Sequence, residues 1–143
     1  MEKKIKEMHL HFQSIDKTYE KYAKSVNLNY IELAVLEFIY HEEDICTQKK
    51  ISNISPFSKQ SINVAIKFFL KEEIIELKEI EEDRRNKKIV LTNYGQKYAS
   101  KIIGKIITAE ENILRSFSNE EQELIIKFMN QYDETFFKSL LDD

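Results

Sequence analysis

Lys59, Gln60, Asn63 and Lys67 lie in a stretch, Thr47 to Leu70, that holds four lysines and no carboxylate. On a wheel of about 100° per residue, with Lys59 at zero, Gln60 falls near 100°, Asn63 near 40° and Lys67 near 80°. Ile62, Ala65, Ile66 and Phe69 gather between about 240° and 340°, with Ser61, Val64 and Phe68 beyond them. One arc is therefore apolar, and the opposite arc is a row of long donors that only Leu70 interrupts. Such a row suits a partner rich in acceptors. Carboxamides pair donor and acceptor with adenine, while ammonium groups reach phosphate or guanine. Thr47 and Ser58 are N-cap residues, and the helices they open can turn backbone N–H groups toward phosphate oxygens. A second cluster, Glu81 to Lys87, is too polar to bury. It offers Arg84 and Arg85 to a minor groove, where negative potential favours guanidinium.

Other reactive residues carry less. Cys46 is the only cysteine, so it forms no internal disulfide, and a packed thiol is favoured over a redox sensor. His9, His11 and the ligand-rich run His41-Glu42-Glu43-Asp44 invite a metal reading, but the helix over 93–116 offers no further His, and a solvated acidic helix end is favoured. No metal or other cofactor is expected. There is no Gly-rich phosphate loop, nucleophile elbow or His-x-x-x-His spacing, so an enzyme is not expected. Phe12, Tyr19, Tyr22 and Tyr40 read either as core or as the lining of a small-molecule effector cavity.

The elements that hold these residues follow from hydrophobic period. Ile5, Met8, Phe12, Ile15, Tyr19, Tyr22 and Val26 mark a helix with one apolar stripe. Tyr30 to Tyr40 is a helix apolar on most sides, hence central. A short helix from Gln48 to about Ile54, the turn Ser55-Pro56-Phe57 and a helix from Lys59 to about Lys71 come next. Ile75 with Leu77 and Ile89 with Leu91 alternate as two short strands joined by the long charged tip. Thr92 caps a helix over residues 93–116, in which Gly104 is a close-packing point or kink. Ser118-Asn119-Glu120-Glu121 is a capping box that opens a last helix, 119–141. The fold class is mainly α with a small β-hairpin: a winged helix-turn-helix flanked by terminal helices.

The chain has 143 residues, 33% charged, with two Gly and one Pro, which excludes an all-β fold and a disordered tail. No apolar run reaches the ~18–20 residues of a membrane span, so no membrane partner is expected. The start, MEKKIKEMHLHF, lacks the apolar stretch of a secretion signal, and a cytoplasmic location is the default. Residues 1–46, 47–95 and 96–143 carry net charges of −3, +3 and −3. An acidic protein with one basic central segment can hold a polyanion there while its ends repel it.

Asp83-Arg84-Arg85-x-Lys87-x-Ile89-x-Leu91-Thr92-x-x-Gly95 resembles the wing signature of MarR-family transcriptional regulators. Thr47-Gln48-Lys49-Lys50-Ile51 and Ser58-Lys59-Gln60-Ser61-Ile62 look like that family's helix-turn-helix. One departure is Glu72-Glu73, where the family usually ends the recognition helix with glycine. The resemblance implies one subunit over 1–143, with DNA binding by 30–95 and dimerisation by 5–26 and 96–141. It implies a homodimer on a pseudo-palindromic double-stranded operator, a repressor released by a signal such as a small molecule. Thr47, Gln48, Ser58, Lys59, Gln60, Ser61, Asn63, Lys67, Arg84, Arg85 and Lys87 would then touch DNA. By the same analogy Arg85 is the main groove contact, and Asp83 orients a wing arginine through a charge-assisted hydrogen bond. The alternative is a winged-helix module for protein contacts without specific operator binding, which would show acids or a broad apolar patch on the recognition face.

Overall fold

The computed structural model describes residues 1–141. Its elements are α1 Glu2–Ser25, α2 Tyr30–His41, α3 Gln48–Ile54, α4 Lys59–Lys71, β1 Ile75–Ile80, β2 Asp83–Leu91, α5 Asn93–Arg115 and α6 Asn119–Leu141. Type and order agree with the periodicity. The chain divides into two compact units, Met1–Gly104 and Lys105–Asp143, so α1 and the first half of α5 belong with the winged segment.

Helix ends are set by local hydrogen bonding. After α1, Asn27 takes a left-handed conformation (φ 61°), and the Leu28 N–H reaches back to the Ala23 carbonyl at 2.9 Å. Asn29 then opens α2 through a reciprocal box: its side chain accepts from the Glu32 N–H, and Glu32 accepts from the Asn29 N–H, both at 2.8 Å. Thr47 and Ser58 cap α3 and α4, each accepting from the N–H three residues on at 3.1 Å. Each such cap contributes about 1 kcal/mol. Ser118 and Glu121 form the expected box at the start of α6.

The core of the first unit is built around α2, whose Leu33, Val35, Leu36 and Ile39 are all buried. The α4 arc of Ile62, Ala65, Ile66 and Phe69 faces it, and Ile51 of α3 completes the helix-turn-helix interior. That arc is the one the wheel predicts.

At the wing the structure corrects the strand lengths. β1 and β2 pair antiparallel from Ile75↔Leu91 through Leu77↔Ile89 to Glu79↔Lys87, and the register then breaks so that Ile80 meets Asp83. The tip shrinks to Glu81-Glu82, and Arg84, Arg85 and Lys87 lie within β2. The outer part of a two-stranded ribbon is wet on both faces, so backbone pairing continues there without the apolar alternation that signals a strand.

The base of the wing explains two residue choices. Glu73 stands where the resemblance calls for glycine, and it still adopts the left-handed conformation (φ 56°). The Ile74 N–H donates to the Phe69 carbonyl at 3.0 Å, the pattern of a glycine-type helix end. Thr92 then clamps the wing to α5. Its hydroxyl donates to the Glu73 carbonyl at 2.7 Å and accepts from the Gly95 N–H at 2.8 Å, capping α5. A Cβ on Gly95 would overlap the Ile74 carbonyl, so only glycine fits. Gly104 differs: among the described residues a Cβ there meets nothing within 4 Å outside its own helix backbone.

Candidate nucleic-acid interface

The exposed residues of α4 are Lys59, Gln60, Val64, Lys67 and Lys71. The donor row is therefore present on the solvent face, with two amendments. Val64 is 61% exposed and joins that face, although the wheel set it with the residues beyond the apolar arc. Asn63 is half-buried and its Oδ1 accepts from Gln48 Nε2 at 3.4 Å, so these two carboxamides tie α3 to α4. Ser61 is likewise committed, its hydroxyl 2.9 Å from that of Ser58.

The wing is held beside this helix pair by backbone contacts. The Ile89 N–H donates to the Cys46 carbonyl at 2.8 Å, and Thr47 bridges Lys88. These bonds join β2 to the segment entering α3, so Arg84, Arg85 and Lys87, all exposed, share a positioned support with the helix-turn-helix. Asp83 meets Arg85 through the main chain. Its Oδ1 accepts from the Arg85 N–H at 3.1 Å, and its Oδ2 accepts from Asn86 Nδ2 at 2.9 Å. Those bonds, the Asn86 amide first, hold the Asp83 carboxyl below the ordinary carboxylate range, and the charge of Lys49 adds to the effect. Lys49 is thus an exposed cation at the wing that the candidate set omits. Its signal was present in the acid-free run, but only folding brings it to Asp83.

Lys50 has a different role. Its Nζ lies 2.8 Å from Glu42 Oε2, linking the end of α2 to α3. The hydrogen bond to Glu42 raises the Lys50 pKa, and the hydrogen bond from Lys50 is the main reason that of Glu42 is lowered. Cys46 is buried, and burial pushes its thiol up to about 11, with Glu42 adding to the shift. A thiol so placed is packing, as expected. Among the described residues no group of three or more His, Cys, Asp or Glu is arranged to hold a metal ion. No described helix is long and apolar enough to cross a membrane.

Of the four aromatic candidates, Phe12, Tyr19 and Tyr22 lie on α1 and Tyr40 on α2. Tyr19 borders a groove of about 200 Å³ with Asp16, Tyr30, Leu33, Ala34 and Glu37. Tyr22 donates its hydroxyl to the Ile102 carbonyl at 2.8 Å, and burial raises its pKa. Phe12 is half-buried on α1, and Tyr40, near the end of α2, stands edge-on to His41. Tyr30, which pattern reading left out, touches Asp16 through its hydroxyl at 3.4 Å and meets the Phe57 ring edge-on at 5.9 Å.

The profile of the MarR family matches residues 26–86, from the end of α1 into β2. Residues 26–86 are thus similar to the winged helix of the MarR family. Solved structures of the family share the fold. NMB1585, a MarR family regulator from Neisseria meningitidis, superposes with a TM-score of 0.78 at 23% identity, covering 96% of each chain. MepR of S. aureus in its DNA-binding conformation gives 0.77 at 17% identity, covering 95% of this chain and 98% of that one. The S. aureus MepR–DNA complex gives 0.69 at 18% identity, covering 89% and 96%. No curated protein matches the sequence.

Proposed function

We propose that this chain is a MarR-family, homodimeric, sequence-specific DNA-binding transcriptional regulator, a repressor released by a signal such as a small molecule. The observation that carries the reading is the solvent face of α4, lined by Lys59, Gln60 and Lys67 without an acid, beside the exposed Arg84, Arg85 and Lys87 of β2. A helix bearing donors of this length fits the major groove, and the arginines suit the minor groove or flanking phosphates. Thr47, Gln48 and Ser58 sit at the helix starts, where they contact or orient toward the backbone, and Asn63, one turn into α4, holds Gln48 there. The DNA complex of the similar MepR supports this reading.

Dimerisation is supported by uncovered apolar residues. α6 buries none of its side chains and leaves Leu124, Phe128, Phe136 and Leu140 exposed, while α1 leaves Ile5, Leu10 and Ile15 exposed. Patches of this kind mark subunit contacts. A two-fold axis then presents two α4 helices to successive major grooves about 34 Å apart. The effector reading is supported by the groove beside Tyr19. Tyr30 contacts both Asp16 beside that groove and Phe57 in the turn before α4, so a ligand displacing Tyr30 moves the turn. Phe12, Tyr22 and Tyr40 are the remaining aromatic candidates for its surroundings.

The test is binding to the promoter fragment upstream of the protein's own gene, titrated across salt with scrambled DNA as control. Tight, salt-sensitive and sequence-selective binding by a dimer is expected. Absence of binding even at low salt sinks the reading in favour of a protein-contact module.

A further inference from the structure

Val64 occupies a place that the fold does not explain. Every other exposed residue of α4 is a lysine or a glutamine, yet Val64 is 61% exposed in their midst. It lies one turn after Gln60 and one turn before Lys67, so the three side chains share one face. It also shares a shallow depression with Gln60, Asn29, Ile31 and Glu32, the last engaged in capping α2 with Asn29. A β-branched side chain is stiff and a mediocre helix former, and at this exposure it gains little from the core in return. Its stiffness is useful only toward something outside the chain that offers a methyl-sized apolar surface.

In the major groove, one base supplies such a surface: thymine, through its C5-methyl group. We infer that Val64 reads a thymine methyl in each operator half-site, beside the base met by Gln60. The inference rests on the DNA-binding reading, since the lysines on either side supply the charge complementarity that seats this face on a duplex. Val64 selects against cytosine and deoxyuridine at that position because neither carries the methyl. Gln60 and Lys67 then supply hydrogen bonding and charge, and Val64 supplies apolar discrimination.

The experiment starts from sites selected by the full chain from a random duplex pool. Each thymine of a selected site is then replaced by deoxyuridine, which deletes the methyl and keeps every hydrogen-bonding atom. For the wild type, one position per half-site loses roughly three- to fivefold in affinity, the scale of one buried methyl. For Val64→Ala that penalty vanishes, while Val64→Ile retains it. Indifference of the wild type to every deoxyuridine, or an undiminished penalty in Val64→Ala, overturns the inference while DNA binding stands. Failure to select any site overturns the DNA-binding reading, and this inference with it.

Discussion

Arg85 is fixed in the wing by its own N–H, bound to Asp83, which leaves the guanidinium to face outward from an exposed strand. Arg85→Ala is expected to weaken operator binding at least about tenfold, with circular dichroism and dimer mass unchanged. Wild-type salt-dependent affinity in that variant would remove the wing from the interface. Asp83 is an acid whose folded pKa is lowered, so its contribution is complete at neutral pH and is lost as pH falls through the folded value. Wing order, followed by the protection factor of the Arg85 N–H, should therefore be insensitive to pH from 6 to 8 as far as Asp83 is concerned. Gln60→Ala should alter sequence preference by about 1–3 kcal/mol at one base pair. Asn63→Ala should in addition loosen α3 against α4, because Asn63 is bonded to Gln48. Cys46, with a thiol near 11 and no exposure to speak of, should resist iodoacetamide at pH 7.4 until the protein is unfolded.

The junction between α4 and the wing concentrates backbone constraint within a few residues. Glu73 holds a left-handed φ that disfavours a side chain by about 1–2 kcal/mol, so Glu73→Gly should stabilise the fold by about 1 kcal/mol in urea titration. An unchanged or lower midpoint would mean that the Glu73 side chain is held by something stronger. Gly95 is the reverse case, because any side chain there meets the Ile74 carbonyl. Gly95→Ala should cost more than about 2 kcal/mol and should displace the wing, reducing DNA affinity beyond what stability alone explains. The glycine of the wing motif is thus a packing requirement between α5 and the base of β1, which complements the Thr92 clamp.

At the scale of the molecule, the apolar face of α6 carries the largest consequence. Phe136→Glu combined with Leu140→Glu should yield a monomer in sedimentation, with binding reduced to that of a half-site. A double variant that stayed dimeric would place the two-fold contact elsewhere. The order of elements, the α4 apolar arc and the caps at Thr47, Ser58, Thr92 and Ser118 were all legible in the sequence. Periodicity and capping are local, set by residues three or four apart, and nothing distant overrides them here. The donor face was legible for the same reason, apart from Val64, whose wheel position lies at the margin between wet and buried, and Asn63, which turns to Gln48. What only the tertiary structure decided lies in contacts across long separations. The extension of β2 beyond Lys87 depends on the Ile80↔Asp83 pair, across an irregularity that holds Arg84 and Arg85, rather than on apolar alternation. The route of Asp83 to a main-chain N–H, the approach of Lys49, the Glu42–Lys50 link and the burial of Cys46 each need segments that the chain brings together only on folding. Spacing fixes which face a side chain takes on its own helix, whereas the partner it meets there depends on the packing of all the others.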